Sequence, residues 1–152
     1  MARKDLATKP IAVLTAGATG ITHAADCALA GRDVRLFEFP DFYGEDRAIR
    51  HTNQILVGGS QVNLYSIKRE GLAAIPTITT DMKEAVHGAG IIILTLPAVG
   101  FERICEELAP LLEDGQVIHF MAGNFGCCVL RKKMREAGCT AKVLMGDWSS
   151  QP

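Results

Sequence analysis

Thr15-Ala16-Gly17-Ala18-Thr19-Gly20 directly follows an apolar run, Ile11 to Leu14, and Glu38 ends a second apolar run, Val34 to Phe37, 21 residues after Gly17. A glycine in a tight turn lets backbone N–H groups approach a negatively charged group. The positive end of a following helix stabilises that charge. A carboxylate one strand away accepts hydrogen bonds from sugar hydroxyls. Strand, glycine turn, helix, strand and acid, in that order, hold the diphosphate and ribose of a dinucleotide. Gly17 stands where the backbone must come close to the phosphates, and Gly20 where the helix must pack on the strand. Thr15 occupies the position where this motif has its first glycine, so its backbone either avoids a positive φ or accepts strain. Glu38 pairs with free ribose hydroxyls and repels a 2′-phosphate; Phe39 and Pro40 follow it, with no arginine beside them. That favours NAD over NADP. The plainer alternatives are a βαβ turn without ligand and a solvated acid at a strand end.

Ligands of such a sheet lie along its carboxyl edge, so two other strand ends matter. One is Thr95-Leu96-Pro97-Ala98-Val99-Gly100, where Leu96 and Pro97 are candidate cofactor contacts and Pro97 directs the loop near a nicotinamide. The other is Met121-Ala122-Gly123-Asn124-Phe125-Gly126, in which Asn124 offers an amide. Plain turn chemistry explains both equally well. No catalytic residue stands out. His23, His51, His87 and His119 are scattered; His23 reads as a packing or surface residue and His119 as a core histidine. No metal-ligand cluster and no Ser-His-Asp order can be assembled.

The elements that must position these residues are read from periodicity. Strands are expected at Ile11 to Leu14, Val34 to Phe37, Ile75 to Thr79, Ile91 to Leu96, Val117 to Phe120 and Lys142 to Met145. The isoleucine-rich run fits a central parallel strand covered on both faces. Helices are expected over Gly17 to Ala30, from Asp81 with Glu84 in a capping pair, from Phe101 to about Pro110, and around Val129 to Ala137. Between the second and third strands lies an excursion with a helix near Glu45 to Gln54, then extended or hairpin structure over Gln61 to Leu72 with Gly71 as its turn. Alternation of this kind implies an α/β fold, a Rossmann-type doubly wound parallel sheet in three α/β/α layers. The final segment, Gly146 to Pro152, reads as chain leaving the last strand.

The length of 152 residues fits one domain, and 48% hydrophobic with 22% charged residues is ordinary for a globular chain. A net charge of −1 without a basic block gives no sign of a nucleic-acid or membrane partner. Met1 to Lys9 has no apolar core for a signal peptide, and no apolar run spans a bilayer. Five cysteines without paired spacing argue against a disulfide framework. The expected setting is therefore the cytoplasm.

With these motifs in hand, the chain resembles the N-terminal domain of the octopine/nopaline (opine) dehydrogenases. The resemblance rests on IAVLTAGATG (Ile11 to Gly20), AADCALAGRDVRLFE (Ala24 to Glu38), TTDMKEAVHGAGIIILTLPAVGF (Thr79 to Phe101) and LAPLLEDGQVIHFMAGNFG (Leu108 to Gly126). By the same resemblance, ketopantoate reductases and glycerol-3-phosphate dehydrogenases would be more distant relatives. The resemblance implies an oxidoreductase acting on CH–NH bonds, which joins an amino acid to a 2-oxo acid and reduces the imine with NAD(P)H. It implies that residues 1–152 form the dinucleotide-binding domain, while the helical domain carrying the family's catalytic residues is absent. Carried over, Gly17 and Gly20 match the fingerprint, Glu38 the ribose acid and Pro97 the loop near the nicotinamide. Such a chain is expected to bind NAD(H) without turnover, its partner being the missing domain or a second copy. The competing reading is a stand-alone NAD(H)-binding regulatory or sensing module. A third is an α/β domain without nucleotide, should Thr15 close the turn.

Overall fold

A computed structural model describes residues 3–42, 54–57, 63–64, 67–68, 71–121 and 123–149. Helix α1 (Arg3–Thr8) precedes strand β1 (Ile11–Leu14), helix α2 (Ala18–Leu29) and strand β2 (Val34–Phe37). A 3-10 turn at Pro40–Phe42 leads to short strands β3 (Gln54–Val57), β4 (Asn63–Leu64), β5 (Ile67–Lys68) and β6 (Gly71–Ala74). Then come β7 (Thr77–Thr79), α3 (Met82–Val86), β8 (Ile91–Leu94), α4 (Phe101–Leu108), β9 (Val117–Phe120), α5 (Gly126–Glu136) and β10 (Leu144–Asp147).

Six strands form one parallel sheet in the order β10-β9-β8-β1-β2-β7. Counted among sheet strands alone, this is the 3-2-1-4-5-6 order of the doubly wound nucleotide-binding fold. The topological switch falls between β1 and β8, in register Ile11 to Ile91 through Leu14 to Leu94. Period-two alternation sorts β1 between two cores. Ala12 and Leu14 face a cluster with α3, α4 and α5, built on Phe37, Ile92, Leu94, Ile104, Leu108, Ile118, Phe120 and Leu130. Ile11 and Val13 face α2 with Val34, Leu36, Ala24 and Ile75. Complete burial of side chains of this size stabilises by about 1.5–3 kcal/mol each.

Local chemistry accounts for the helix boundaries. Asp81 caps α3, its carboxylate accepting from the N–H of Lys83 (2.8 Å) and Glu84 (3.3 Å). The Asp81 N–H itself donates to the Thr79 hydroxyl at 3.0 Å. α4 buries Phe101, Ile104, Cys105 and Leu108 on one face. It tightens into a 3-10 turn at Ala109–Leu111, where Pro110 removes an amide donor. α1 packs at the amino edge of the sheet, where the Arg32 guanidinium donates to the carbonyls of Leu6 (2.9 Å) and Lys9 (3.2 Å). On the same edge, buried Gln116 donates to the carbonyls of Val86 (3.0 Å) and Ala89 (3.2 Å), and its side-chain carbonyl accepts from the Glu113 N–H (2.8 Å).

Four expectations need correction. β8 is fully covered on only one face. Ile92 and Leu94 are completely buried, whereas Ile91 and Ile93 are half-buried, because the helices after β8 and β9 both pack on the other side. Gly71 is not a hairpin turn: it starts β6, which pairs antiparallel with β3, while β4 and β5 form the hairpin. The third sheet strand begins at Thr77, Ile75 being a core residue ahead of it. The sixth runs from Leu144 to Asp147, so Gly146 and Asp147 belong to the sheet. The helix expected near Glu45 to Gln54 lies outside the described residues, apart from Gln54 at the start of β3. Among the described residues no helix is long and apolar enough to cross a membrane.

Candidate cofactor site

Three central strands run one residue past their ends, and those residues meet. The Thr15 N–H donates to the Phe37 carbonyl (2.9 Å), the Glu38 N–H to the Thr79 carbonyl (3.1 Å), and the Thr95 N–H to the Leu14 carbonyl (3.3 Å). Thr15, Glu38 and Thr95 thus share the carboxyl edge on either side of the switch point. Glu38 is only 4% exposed. Its carboxylate accepts from the Ala16 N–H and from the Phe39 N–H, each at 3.0 Å. The acid after β2 is therefore bonded directly to the glycine turn after β1.

Thr15 takes the strained alternative, with φ +82°. For a β-branched residue the left-handed region costs roughly 1–2 kcal/mol. Its hydroxyl lies 3.2 Å from that of Thr95, which also approaches the Leu14 carbonyl (3.1 Å) and the Thr15 carbonyl (3.3 Å). These bonds hold the threonine side chain toward β8 and leave Gly17 exposed. The turn is not plugged: a Cβ added to Gly17 would meet nothing within 4 Å. At Gly20 the opposite holds, since a Cβ would strike the Thr15 carbonyl oxygen and stand 2.7 Å from the Thr95 hydroxyl.

Gly17 is the N-cap of α2, and no side chain caps that helix. Ala18 and Thr19 form its first turn. Beside them lies a cleft of about 360 Å³, lined by Thr15, Gly17, Glu38, Thr95, Leu96 and Pro97 and walled by Phe39, Phe42, Val99, Gly100 and Arg103. Among these, Val99 is 95% and Phe42 52% exposed, so the cleft mouth presents apolar surface. An open turn, an uncapped helix start, an acid and an apolar slot fit the diphosphate and adenosine of a dinucleotide. The turn amides, Glu38 and the apolar walls are the groups that would hold it.

Asn124 stands apart, exposed on the loop after β9 and outside the lining of that cleft. It has φ +35° and Phe125, the N-cap of α5, has φ +66°. Among the described residues, Thr15, Asn124 and Phe125 are the non-glycine residues with positive φ, and all three sit at the carboxyl ends of strands. Strain gathered along one edge is characteristic of ligand sites. Pro97 lines the same cleft as Glu38.

Sequence reasoning missed Arg103. No arginine stands directly after Glu38, but α4 brings one into the cleft, its guanidinium 4.0 Å above the Phe39 ring and 2.7 Å from Asp41. The signal was Phe101 heading a helix straight after the Pro97 loop, which puts position 103 beside the cleft mouth. His119 is half-buried against Trp148, ring centroids 5.3 Å apart, rather than sealed in the core. Burial pushes its pKa down, as it does for His23, where nearby His119 adds to the effect and Asp26 opposes it. Among the described residues no group of acids, cysteines and histidines could hold a metal.

The sheet order and the cleft at its switch point define a Rossmann-type dinucleotide-binding domain. Residues 10–125 match the family described as NAD-dependent glycerol-3-phosphate dehydrogenase N-terminus, and the chain belongs to that family. The glycerol-3-phosphate dehydrogenase [NAD(P)+] of Geobacter metallireducens is 32% identical over 106 residues, covering 69% of this chain and 28% of that protein. The opine dehydrogenase of an Arthrobacter species is 28% identical over 144 residues, 94% of this chain and 37% of its own length. Among solved structures, octopine dehydrogenase with NADH and pyruvate superposes with a TM-score of 0.69 at 24% identity, over 95% of this chain and 37% of that one. Glycerol-3-phosphate dehydrogenase from Coxiella burnetii gives 0.60 at 19%, over 92% and 40%. The chain is an N-terminal NAD-binding domain related to glycerol-3-phosphate and opine dehydrogenases, and it spans about a third of the length of the curated relatives it matches.

Proposed function

We propose that this chain binds NAD(H) at the turn Thr15 to Gly20, with Glu38 on the adenosine ribose, Leu96 and Pro97 along the adenosine, and Asn124 toward the nicotinamide end. The observation that carries this reading is the open space above Gly17 beside a carboxylate fixed by two backbone amides. A bound nicotinamide would supply the hydride chemistry. The amides of Gly17, Ala18 and Thr19 would hold the diphosphate, and the Thr15–Thr95 contact sets the turn.

For the whole protein we favour opine-type chemistry, the reductive condensation of an amino acid with a 2-oxo acid, in the cytoplasm. Support comes from the opine relative, which matches 94% of the chain against 69% for the glycerol-3-phosphate relative. The family match itself favours a second reading, oxidation and reduction at a hydroxyl-bearing carbon as in the glycerol-3-phosphate enzymes. In either case hydride transfer needs a substrate held against the nicotinamide and a proton donor. The cleft residues supply no such donor, so we expect the 152-residue chain to bind without turnover. A self-standing sensing module remains the competing role, and it shares the same cofactor site.

Calorimetry with NADH tests the site, and heat of binding below millimolar concentration is expected. Absence of binding at millimolar NADH would overturn the cofactor assignment. NADH oxidation by the chain in the presence of an amino acid and a 2-oxo acid would overturn the expected lack of turnover.

A further inference from the structure

Beyond Glu38, the cleft mouth carries a second pair of charges. The Arg103 guanidinium lies over Phe39, the residue that follows the ribose acid, and lines the same cleft. Its Nη1 is 2.7 Å from Asp41 Oδ2, and its Nε is 3.9 Å from Glu107 Oε1. The planar fork of an arginine is the side chain best matched to a phosphate. A 2′-phosphate on the adenosine ribose would bring roughly −1.5 to −2 charges to this place. Among the described residues lining the cleft, Arg103 is the cation that could receive it; it is already held by a carboxylate, and Glu38 stands behind.

We propose that the Arg103–Asp41 pair sets the choice between the two dinucleotides: Asp41 withholds Arg103 from a 2′-phosphate, so the cleft accepts a free ribose and rejects its phosphorylated form. This rests on the cofactor reading above. The pair ties the start of α4 to the turn after β2, so selection is distributed over two strand ends. It acts alongside the repulsion from Glu38 and is independent of it. Asp41 and Arg103 are both accessible, at 62% and 45% side-chain exposure, so exchange of partners needs no core rearrangement.

The test is a cycle of Asp41→Asn, Arg103→Gln and the double variant in the 152-residue chain, with NADH and NADPH affinities measured by calorimetry. Asp41→Asn is expected to raise the NADPH-to-NADH affinity ratio about tenfold, near 1.4 kcal/mol. The gain should disappear in the double variant and shrink as salt is raised. Asp41→Ser carries the same expectation should the asparagine variant fold poorly. A ratio within twofold of the parent's in both Asp41 variants, or a gain that survives loss of Arg103, overturns the proposal. Failure of the parent to bind NADH at all would instead overturn the cofactor reading, and the two results are distinguishable in the first titration.

Discussion

Gly17→Ala separates folding from binding at this site. The backbone there is extended (φ −67°, ψ 176°), and an added Cβ finds open space. Replacing glycine at a compatible position stabilises by about 0.4–1 kcal/mol through the unfolded chain. Alanine is a poorer N-cap than glycine, by an amount of similar size. The two nearly cancel, so the melting temperature should stay within about 3 °C of the parent, the shift that about 1 kcal/mol produces in a domain of this size. Binding should respond very differently. In the proposed site a methyl group at Gly17 would stand between the turn amides and a diphosphate. Loss of one charge-assisted hydrogen bond costs about 1.5–3 kcal/mol. NADH affinity should therefore fall roughly 10- to 100-fold by the usual conversion. Isothermal calorimetry beside a circular-dichroism melt reads both quantities. A variant that binds NADH within twofold of the parent would refute the placement of the diphosphate against Gly17. A drop of more than about 6 °C, roughly 2 kcal/mol, would refute the claim of open space.

At Gly20 the same substitution should act on the fold, because its methyl would strike the Thr15 carbonyl and the Thr95 hydroxyl. Overpacking against backbone costs about 1–3 kcal/mol or more, visible as a lowered melting temperature without ligand. Gln116→Leu leaves the carbonyls of Val86 and Ala89 without that side-chain donor and should cost about 2–3 kcal/mol in urea unfolding. His23 is held below its ordinary pKa of 6.5 chiefly by burial, so its neutral form is favoured in the folded state. The unfolded chain takes up that proton first, and stability is lost as pH falls below about 6.5. The stability advantage of the parent over His23→Gln should therefore shrink between pH 8 and pH 5.5.

The sheet was legible because each strand carries its own signal. Ile11 to Leu14 and Ile91 to Leu94 are apolar at every position, and the glycine turn between a strand and a helix has few other uses. The capping acid Asp81 and the breaker Pro110 act within a few residues, so they too can be read locally. What escaped was set by distant contacts. The half-exposed face of β8 depends on which side two later helices choose, and Ile93 looks the same in either case. Arg103 escaped because its neighbours, Phe39 and Asp41, lie more than sixty positions earlier. The positive φ of Thr15 was legible as a conflict. Its outcome depended on Thr95, which supplies the hydroxyl that holds the side chain clear of Gly17.

The cleft's two walls come from opposite halves of the chain, one from β1, α2 and β2 and the other from β8 and the start of α4, joined where β1 lies against β8. Neither half can present a nucleotide pocket until that seam has zipped. A dinucleotide in the proposed site would touch both walls and so fasten the seam between β1 and β8. Ligand concentration would then govern how firmly the two walls hold together.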